Sequence, residues 1–269
     1  MVRTWKITGT KVNEVRFADS SSLDAVTRQL PDGYYSTFRT FDHCARVIGL
    51  SAHLRRLPGV DASSLRRDLL SLLEAYRPSG ETRVRVMLTK GGELYVSVEP
   101  LKLLPREVYE NGVSTESTDI HRDDPRTKST AFIAKSDDER KHIAQAGIFE
   151  ALLVKNGRIL EGMTSNFFYV GRDRETSYVG TARNGILLGV TRTMVIRAAR
   201  GRGVEVRYRP LRLDQFPAVK EAFITSSSRG IVPVIQIDGT TVGQGKVGKT
   251  TQLLMKAYEE YVLEHAEKI

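Results

Sequence analysis

Apolar and polar positions along this chain switch between a period of two and a period of three to four, and the switches delimit its elements. The stretch YYSTFRTF (34–41) reads as extended. SAHLRRL (51–57) and ASSLRRDLLSLLEAYR (62–77) carry apolar residues at helical spacing, the latter with serines placed to cap it. In TRVRVMLTKGGELYVSVEPL (82–101) strand alternation resumes on both sides of Gly91-Gly92, a hairpin signature. A polar stretch from about Arg106 to Arg126 reads as a connection between two lobes. Beyond it, the later part of 128–147 is helical and stops at Gly147, a residue suited to a helix C-terminus. FEALLVKNGRILEG (149–162) predicts a strand, an Asn-Gly turn and a second strand. VTRTMVIRAARGRG (190–203) predicts a helix, VEVRYRPL (204–211) a strand, and EAFITSSSRGIVPVIQIDGTTV (221–242) two strands around a serine-rich turn. VGKTTQLLMKAYEEYVLEH (247–265) predicts an amphipathic helix.

These elements predict an α+β fold with mostly antiparallel strands. A smaller N-terminal lobe spans 1–115, a connection 116–127, and a larger lobe 128–269. A chain of 269 residues can bury a sizeable core in such an arrangement.

Charge and composition alter this picture little. The net charge of +9 invites a nucleic-acid reading, but the basic residues (Arg55, Arg66, Arg67, Lys135, Arg140 and others) are scattered and interleaved with acids. That describes an ordinary solvated surface, and no nucleic-acid partner is expected. Anionic small-molecule substrates suit the same balance. Cys44 is the single cysteine, which excludes an intrachain disulfide and a cysteine-based metal site, and the five histidines share no ligand spacing, so no metal is expected. MVRTWKITGT lacks the apolar core of a signal peptide, and no run approaches the ~18 apolar residues of a membrane span. A cytoplasmic location without a membrane partner is the expectation.

One motif points elsewhere. GQGKVGKT (243–250) fits the phosphate-cradling pattern G-x-x-x-x-G-K-[ST] at every position. A working P-loop follows a buried strand of a parallel sheet and needs later strands to carry an acidic magnesium partner. Here the preceding strand runs into the turn Asp238-Gly239, and only 19 residues follow Thr250. The expected structure is a glycine-rich turn entering the last helix, with nucleotide binding a minor alternative.

The most informative stretch is LEGMTSNFFYV (160–170). Turn chemistry alone explains Thr164, Ser165 and Asn166. Glu161 lies on an otherwise apolar strand, where a buried carboxylate must be paired. One partner that needs such a carboxylate is the pyridinium nitrogen of pyridoxal phosphate, whose capacity to accept electrons depends on staying protonated.

Several blocks now fall into one order: GYYSTFR (33–39), HLRRL (53–57), EGMTSNFF (161–168), LLGVTR (187–192), FITSSSRGIVPVIQIDG (223–239) and GQGKVGKTT (243–251). Together they resemble the class IV aminotransferases, pyridoxal-phosphate enzymes of fold type IV, a family that includes branched-chain and D-amino-acid aminotransferases and aminodeoxychorismate lyase. The resemblance covers nearly the whole chain and implies the two-lobe architecture of that family. It also implies a homodimer with shared active sites, and transamination between a hydrophobic amino acid or primary amine and a 2-oxo acid. D-Amino-acid transamination or lyase chemistry stand as alternatives.

By the same resemblance Glu161 contacts the pyridine nitrogen, Arg56 binds the cofactor phosphate, and Thr164 is a further cofactor contact. Val190 and Thr191 offer backbone N–H groups at a helix start, Ser227 and Ser228 add hydroxyl and backbone donors, and Leu187 packs on the ring. The family places its cofactor-bearing lysine a little over thirty residues before the glutamate. Lys128, 33 positions upstream, fits better than Lys135 at 26, and Lys155 lies in the Lys-Asn-Gly turn. Where related enzymes often carry a tyrosine or asparagine shortly after this lysine, the chain has Ala131, Phe132 and Ile133. Tyr35, Arg39 and Arg85 are expected on the substrate side, the two arginines as carboxylate binders.

Overall fold

The computed structural model describes all residues except 77–78 and 174–175, and the counts below refer to the described residues. The chain forms two compact units. One comprises Met1–Lys102, Thr127–Lys135 and Glu264–Ile269, the other Leu103–Arg126 and Ser136–Leu263. These divisions differ from the expected lobes at 1–115 and 128–269: contacts, not chain order, decide membership. The segment 127–135 joins the first unit because it runs along an edge of the Gly33–Phe41 strand, with Tyr35 N–H donating to Lys128 O at 2.9 Å and Thr130 N–H to Gly33 O at 3.0 Å.

The first unit is a seven-stranded sheet, antiparallel throughout. Its strands lie in the order Glu267–Lys268, Arg46–Val47, Gly33–Phe41, Thr82–Thr89, Leu94–Pro100, Arg3–Thr8 and Lys11–Val15. The hairpin expected around Gly91-Gly92 joins the fourth and fifth of these. Helices Leu50–Leu54 and Ala62–Tyr76 meet the expected helical stretches; residue 77, the last of the second, lies outside the described residues. The longer helix presents Leu65, Leu69, Leu72 and Leu73 at spacings of three and four, and these pack with Phe38, Val84, Val86, Val96 and Val98 of the sheet. Strand alternation therefore sends Tyr35, Thr37 and Arg39 to the opposite face. Register sets Thr37 against Arg85 and Arg39 against Arg83. Gly33 is required by space: a Cβ there would lie 2.1 Å from Leu88 O on the neighbouring strand.

The second unit is a ten-stranded mixed sheet. Its order is Glu205–Arg207, Thr176–Thr181, Asn166–Asp173, Glu221–Ser226, Gly230–Ile237, Val113–Thr118, Glu150–Lys155, Arg158–Gly162 and Leu211–Arg212, with Thr240–Thr241 paired onto Gly230–Ile237. The expected connection at 106–126 is not one. It contains the helix Arg106–Asn111 and the Val113–Thr118 strand, which pairs in parallel with both Gly230–Ile237 and Glu150–Lys155. The Asn156-Gly157 turn stands as expected, both residues at positive φ (52° and 67°). The helical part of 128–147 is divided into Ala131–Lys135 and Asp137–Gln145, and VEVRYRPL supplies only the short strands Glu205–Arg207 and Leu211–Arg212. One sheet face buries Leu152, Phe167, Tyr169, Ile224 and Val232; on adjacent strands Phe168 stacks on Phe223 with centroids 5.0 Å apart. Helices Val190–Gly201 and Lys249–His265 complete the unit, and no helix among the described residues is long and apolar enough to cross a membrane.

Candidate active site

In the second unit the Arg158–Gly162 strand delivers Glu161 into an apolar interior, its side chain 2% exposed. Three donors converge on it. Arg122 Nε donates to Oε1 at 3.0 Å, while Leu187 N–H and Asn166 Nδ2 donate to Oε2 at 3.1 and 3.3 Å. Such convergence suits a carboxylate and not a carboxylic acid, so a negative charge is held here by donors of the chain itself. Arg122 also donates to Met163 O at 2.9 Å, and Asn166 to Leu187 O at 2.8 Å. The carboxylate, the 162–166 turn and the segment before the Val190–Gly201 helix thus form one bonded assembly. Nothing in the sequence singles out Arg122; it sits in a charged stretch, and only its burial beside Glu161 distinguishes it. Arg192, also buried, donates to Ala182 O at 2.6 Å, and burial pulls its pKa below the usual arginine range.

Val190 and Thr191 open the 12-residue Val190–Gly201 helix, whose N-cap, Gly189, supplies no side-chain acceptor. Thr191 Oγ1 donates to Ser227 Oγ at 3.3 Å, which brings the helix start to the serine turn; Ser228 follows on that turn, half-buried like Ser227. Thr225, one residue before Ser226, has a buried hydroxyl without a hydrogen-bond partner among the described residues. Leu187 is buried and bonds Glu161 through its backbone. Thr164, expected as a cofactor contact, lies in the 162–166 turn with partners of its own. Its hydroxyl donates to Glu150 Oε2 at 2.6 Å and accepts from Arg229 at 2.6 Å, and its N–H donates to Glu150 Oε1 at 3.2 Å. Thr164 ties a turn together.

The first unit holds the remaining candidates. Lys128 is half-buried with Nζ 5.0 Å from the Tyr35 ring centroid, whereas Lys135 and Lys155 are exposed. Tyr35 is buried with Met87 and Ile133, so Ile133 fills apolar space in this cluster. Arg56 follows the Leu50–Leu54 helix, and both Arg56 and Lys128 act on His53. Burial first, then those two cations, hold the His53 pKa well below the usual histidine value; the neutral ring meets Ser36 Oγ at 2.9 Å through Nδ1.

Arg39 is half-buried, with its guanidinium 4.5 Å from the Phe41 ring centroid. Arg85, expected as a carboxylate binder, is held by several groups of the chain. Its side chain is 5% exposed and engages Asp24 at 2.8 Å, Thr27 Oγ1 at 2.7 Å, Leu23 O at 3.0 Å and Thr37 Oγ1 at 3.1 Å. That guanidinium fastens the Leu23–Arg28 helix to the sheet.

The structure also disposes of the P-loop. The phosphate position at the start of the Lys249–His265 helix is taken by a carboxylate of the chain itself. Glu221 Oε1 accepts from Thr250 N–H at 3.2 Å, and Oε2 accepts from Thr251 N–H at 2.7 Å and Thr251 Oγ1 at 2.8 Å. A Cβ on Gly248 would fall 2.0 Å from Glu221 Cδ, so the glycine makes room for the internal cap.

Two units, one built on an antiparallel sheet and one on a mixed sheet, form the architecture of a class IV transaminase. Residues 34–237 match the family described as amino-transferase class IV, and the chain belongs to that family. Over 270 aligned residues it is 26% identical to the D-alanine aminotransferase of Bacillus licheniformis, covering 89% of this chain and 91% of the relative. The fold matches the branched-chain aminotransferase of the archaeon Thermoproteus uzoniensis with norvaline at a TM-score of 0.79, with 19% identity, 99% of this chain and 98% of that one. A protein from Mycobacterium tuberculosis described as a hypothetical aminotransferase, in its PLP-bound form, matches at 0.78, with 19% identity, 97% of this chain and 99% of that one.

The cofactor of this class is pyridoxal 5'-phosphate. The residues suit it on their own terms: Glu161 is a buried, hydrogen-bonded carboxylate, the hydroxyls of Thr191 and Ser227 meet at an uncapped helix start, and the same hairpin carries an unpartnered buried hydroxyl, Thr225.

Proposed function

We propose that the chain moves an amino group between a hydrophobic amino acid and a 2-oxo acid, with L-branched-chain donors ahead of D-amino acids and with (R)-amines accepted. The observation that carries the reading is the buried Glu161 carboxylate held by Arg122, Asn166 and the Leu187 N–H. When bound, pyridoxal phosphate supplies an electrophilic carbon for the substrate amine and a protonated ring that takes up the electron pair of the broken α C–H bond. Glu161 keeps that ring protonated. Lys128 Nζ holds the cofactor and carries a proton to and from the substrate's α carbon. Val190, Thr191, Ser227 and Ser228 hold the phosphate at the helix start, Arg56 adds a cationic donor, and Leu187 packs on the ring. Tyr35 and Arg39 serve the substrate side, sharing a sheet face.

Met163 and Leu187, both buried and apolar, support a hydrophobic side chain. Phe38 does not: it packs in the first unit's core, on the face away from Tyr35. The names of the relatives support both handednesses. Half-reactions with L-leucine, D-alanine and (R)-1-phenylethylamine, followed by loss of the cofactor's visible band, test the order. Conversion by D-alanine alone overturns the L-preference, and pyruvate release from aminodeoxychorismate with no half-reaction from any donor moves the enzyme to the lyases. We further propose a cytoplasmic homodimer with shared sites; a monomeric mass by light scattering overturns the dimer.

A further inference from the structure

The turn that carries Ser227 and Ser228 is a three-residue hairpin loop, closed by the pair Ser226 and Gly230. Its third residue is Arg229. Half-buried, Arg229 donates from Nε to Ser226 Oγ at 3.0 Å, and from its terminal nitrogen to Glu150 Oε2 at 3.0 Å and Thr164 Oγ1 at 2.6 Å. Its guanidinium also lies 5.2 Å from the Phe149 ring centroid, and its carbonyl accepts from Tyr109 OH at 2.9 Å.

Glu150 is the buried anchor of this arrangement: its side chain is 2% exposed, at the first position of the Glu150–Lys155 strand. It takes Thr164 N–H and Oγ1 as well as Arg229, so these partners lie on two turns, 162–165 and 226–229. Gly162 leaves the room this needs, since a Cβ there would lie 3.1 Å from Glu150 Cγ and 2.1 Å from Ser165 Oγ. One edge of the Arg229 guanidinium thus bonds its own turn and another bonds a buried carboxylate, so the turn is tied to the Glu150–Lys155 strand; a planar, many-donor guanidinium suits that double attachment.

We propose that Arg229 and Glu150 are positioning residues for the phosphate of the cofactor: the buried pair fixes the serine turn at the height of the Val190–Gly201 helix start, where Thr191 and Ser227 meet. The proposal rests on the reading that Ser227 and Ser228 bind that phosphate.

The test compares two probes on cofactor-free enzyme, pyridoxal 5'-phosphate and pyridoxal, which differ only in the phosphate. Arg229→Met and Glu150→Gln should each weaken pyridoxal phosphate about 10- to 100-fold, the range for losing one partner of a buried charged pair, and leave pyridoxal within roughly threefold. Ser227→Ala/Ser228→Ala should shift the same preference. Equal weakening of both probes by Arg229→Met or Glu150→Gln overturns the proposal, since it marks a general loss of fold, and so does no weakening of either. Tighter phosphate binding in Glu150→Gln with weaker binding in Arg229→Met also overturns it, because a freed Arg229 then contacts the phosphate itself. If the double serine variant leaves the preference untouched, the phosphate assignment of the turn falls; if the serines shift it and Arg229→Met does not, only the positioning role falls.

Discussion

Arg122→Met is the sharpest test of the buried charge arrangement at Glu161. Both side chains of the pair are buried, Arg122 at 6% and Glu161 at 2% exposure, so solvent does not screen the change. The substitution leaves Glu161 its bonds to Asn166 and the Leu187 N–H and the nearby charge of Arg192, but removes its hydrogen-bonded cation and a donor from Met163 O. Breaking a buried pair by removing one partner costs about 3–5 kcal/mol. At about 2–4 °C per kcal/mol for a chain of this size, the melting temperature of the cofactor-free protein should fall by roughly 6–20 °C. Glu161→Gln should also destabilise, by leaving Arg122 without its countercharge, and should retain cofactor while losing most transamination. The double variant removes both charges, so its loss should be smaller than the sum of the single losses by roughly 1–3 kcal/mol. Differential scanning calorimetry of the four proteins completes the cycle. A melting point for Arg122→Met within about 2 °C of the parent, or strict additivity in the double variant, would refute the reasoning.

Lys128→Ala should abolish transamination and the cofactor's visible band while circular dichroism stays native; if Lys135→Ala does so instead, the lysine assignment is wrong. Glu221→Ala should destabilise by about 1–2 kcal/mol through loss of a helix cap, read by denaturant unfolding, and Lys249→Ala should leave activity nearly unchanged with no saturable ATP binding by calorimetry. Magnesium-dependent ATP binding that disappears in Lys249→Ala would revive the nucleotide reading. His53 has a lowered pKa in the folded state, so between its ordinary value of about 6.5 and the lower folded value the unfolded chain binds a proton that the native chain does not. Stability should therefore fall as pH drops below about 6.5, by at most about 1.4 kcal/mol per pH unit from this residue. His53→Asn should flatten that slope, and an unchanged slope would remove His53 as its source.

What can be read from the chain alone follows the range of the interactions. Turns written in neighbouring residues, such as Asn156-Gly157 and Gly91-Gly92, fall where the pattern puts them. The Val113–Thr118 strand, VSTEST, is hidden because its serines, threonines and glutamate look like a linker, and its strand character comes from two parallel neighbours distant in sequence. Arg85 and Thr164 match their family blocks, but a motif records residue type, not the commitments of the side chain. Asp24 claims the one, and Glu150 and Arg229 the other. Arg122 leaves no local trace, being one charge among several in DIHRDDPR until Glu161 lies beside it.

The first unit is written in three separate passages of the chain, and the last of them follows the whole second unit. Glu267–Lys268 adds the strand beside Arg46–Val47, Glu267 accepts from Leu50 N–H at 3.0 Å and from Arg66 at 2.8 Å, and Ile269 is buried with the unit's core. During synthesis, the passage Met1–Lys102 holds six of the seven strands of its sheet, and the seventh arrives only after the second unit has been made. Domain-by-domain folding from the N-terminus, the usual order for nascent chains, can begin in this unit but not finish there. The edge at Arg46–Val47 and the core position of Ile269 stay uncovered for the time it takes to translate the rest, which makes that interval, and not the finished fold, the period in which a chaperone has the most to shield.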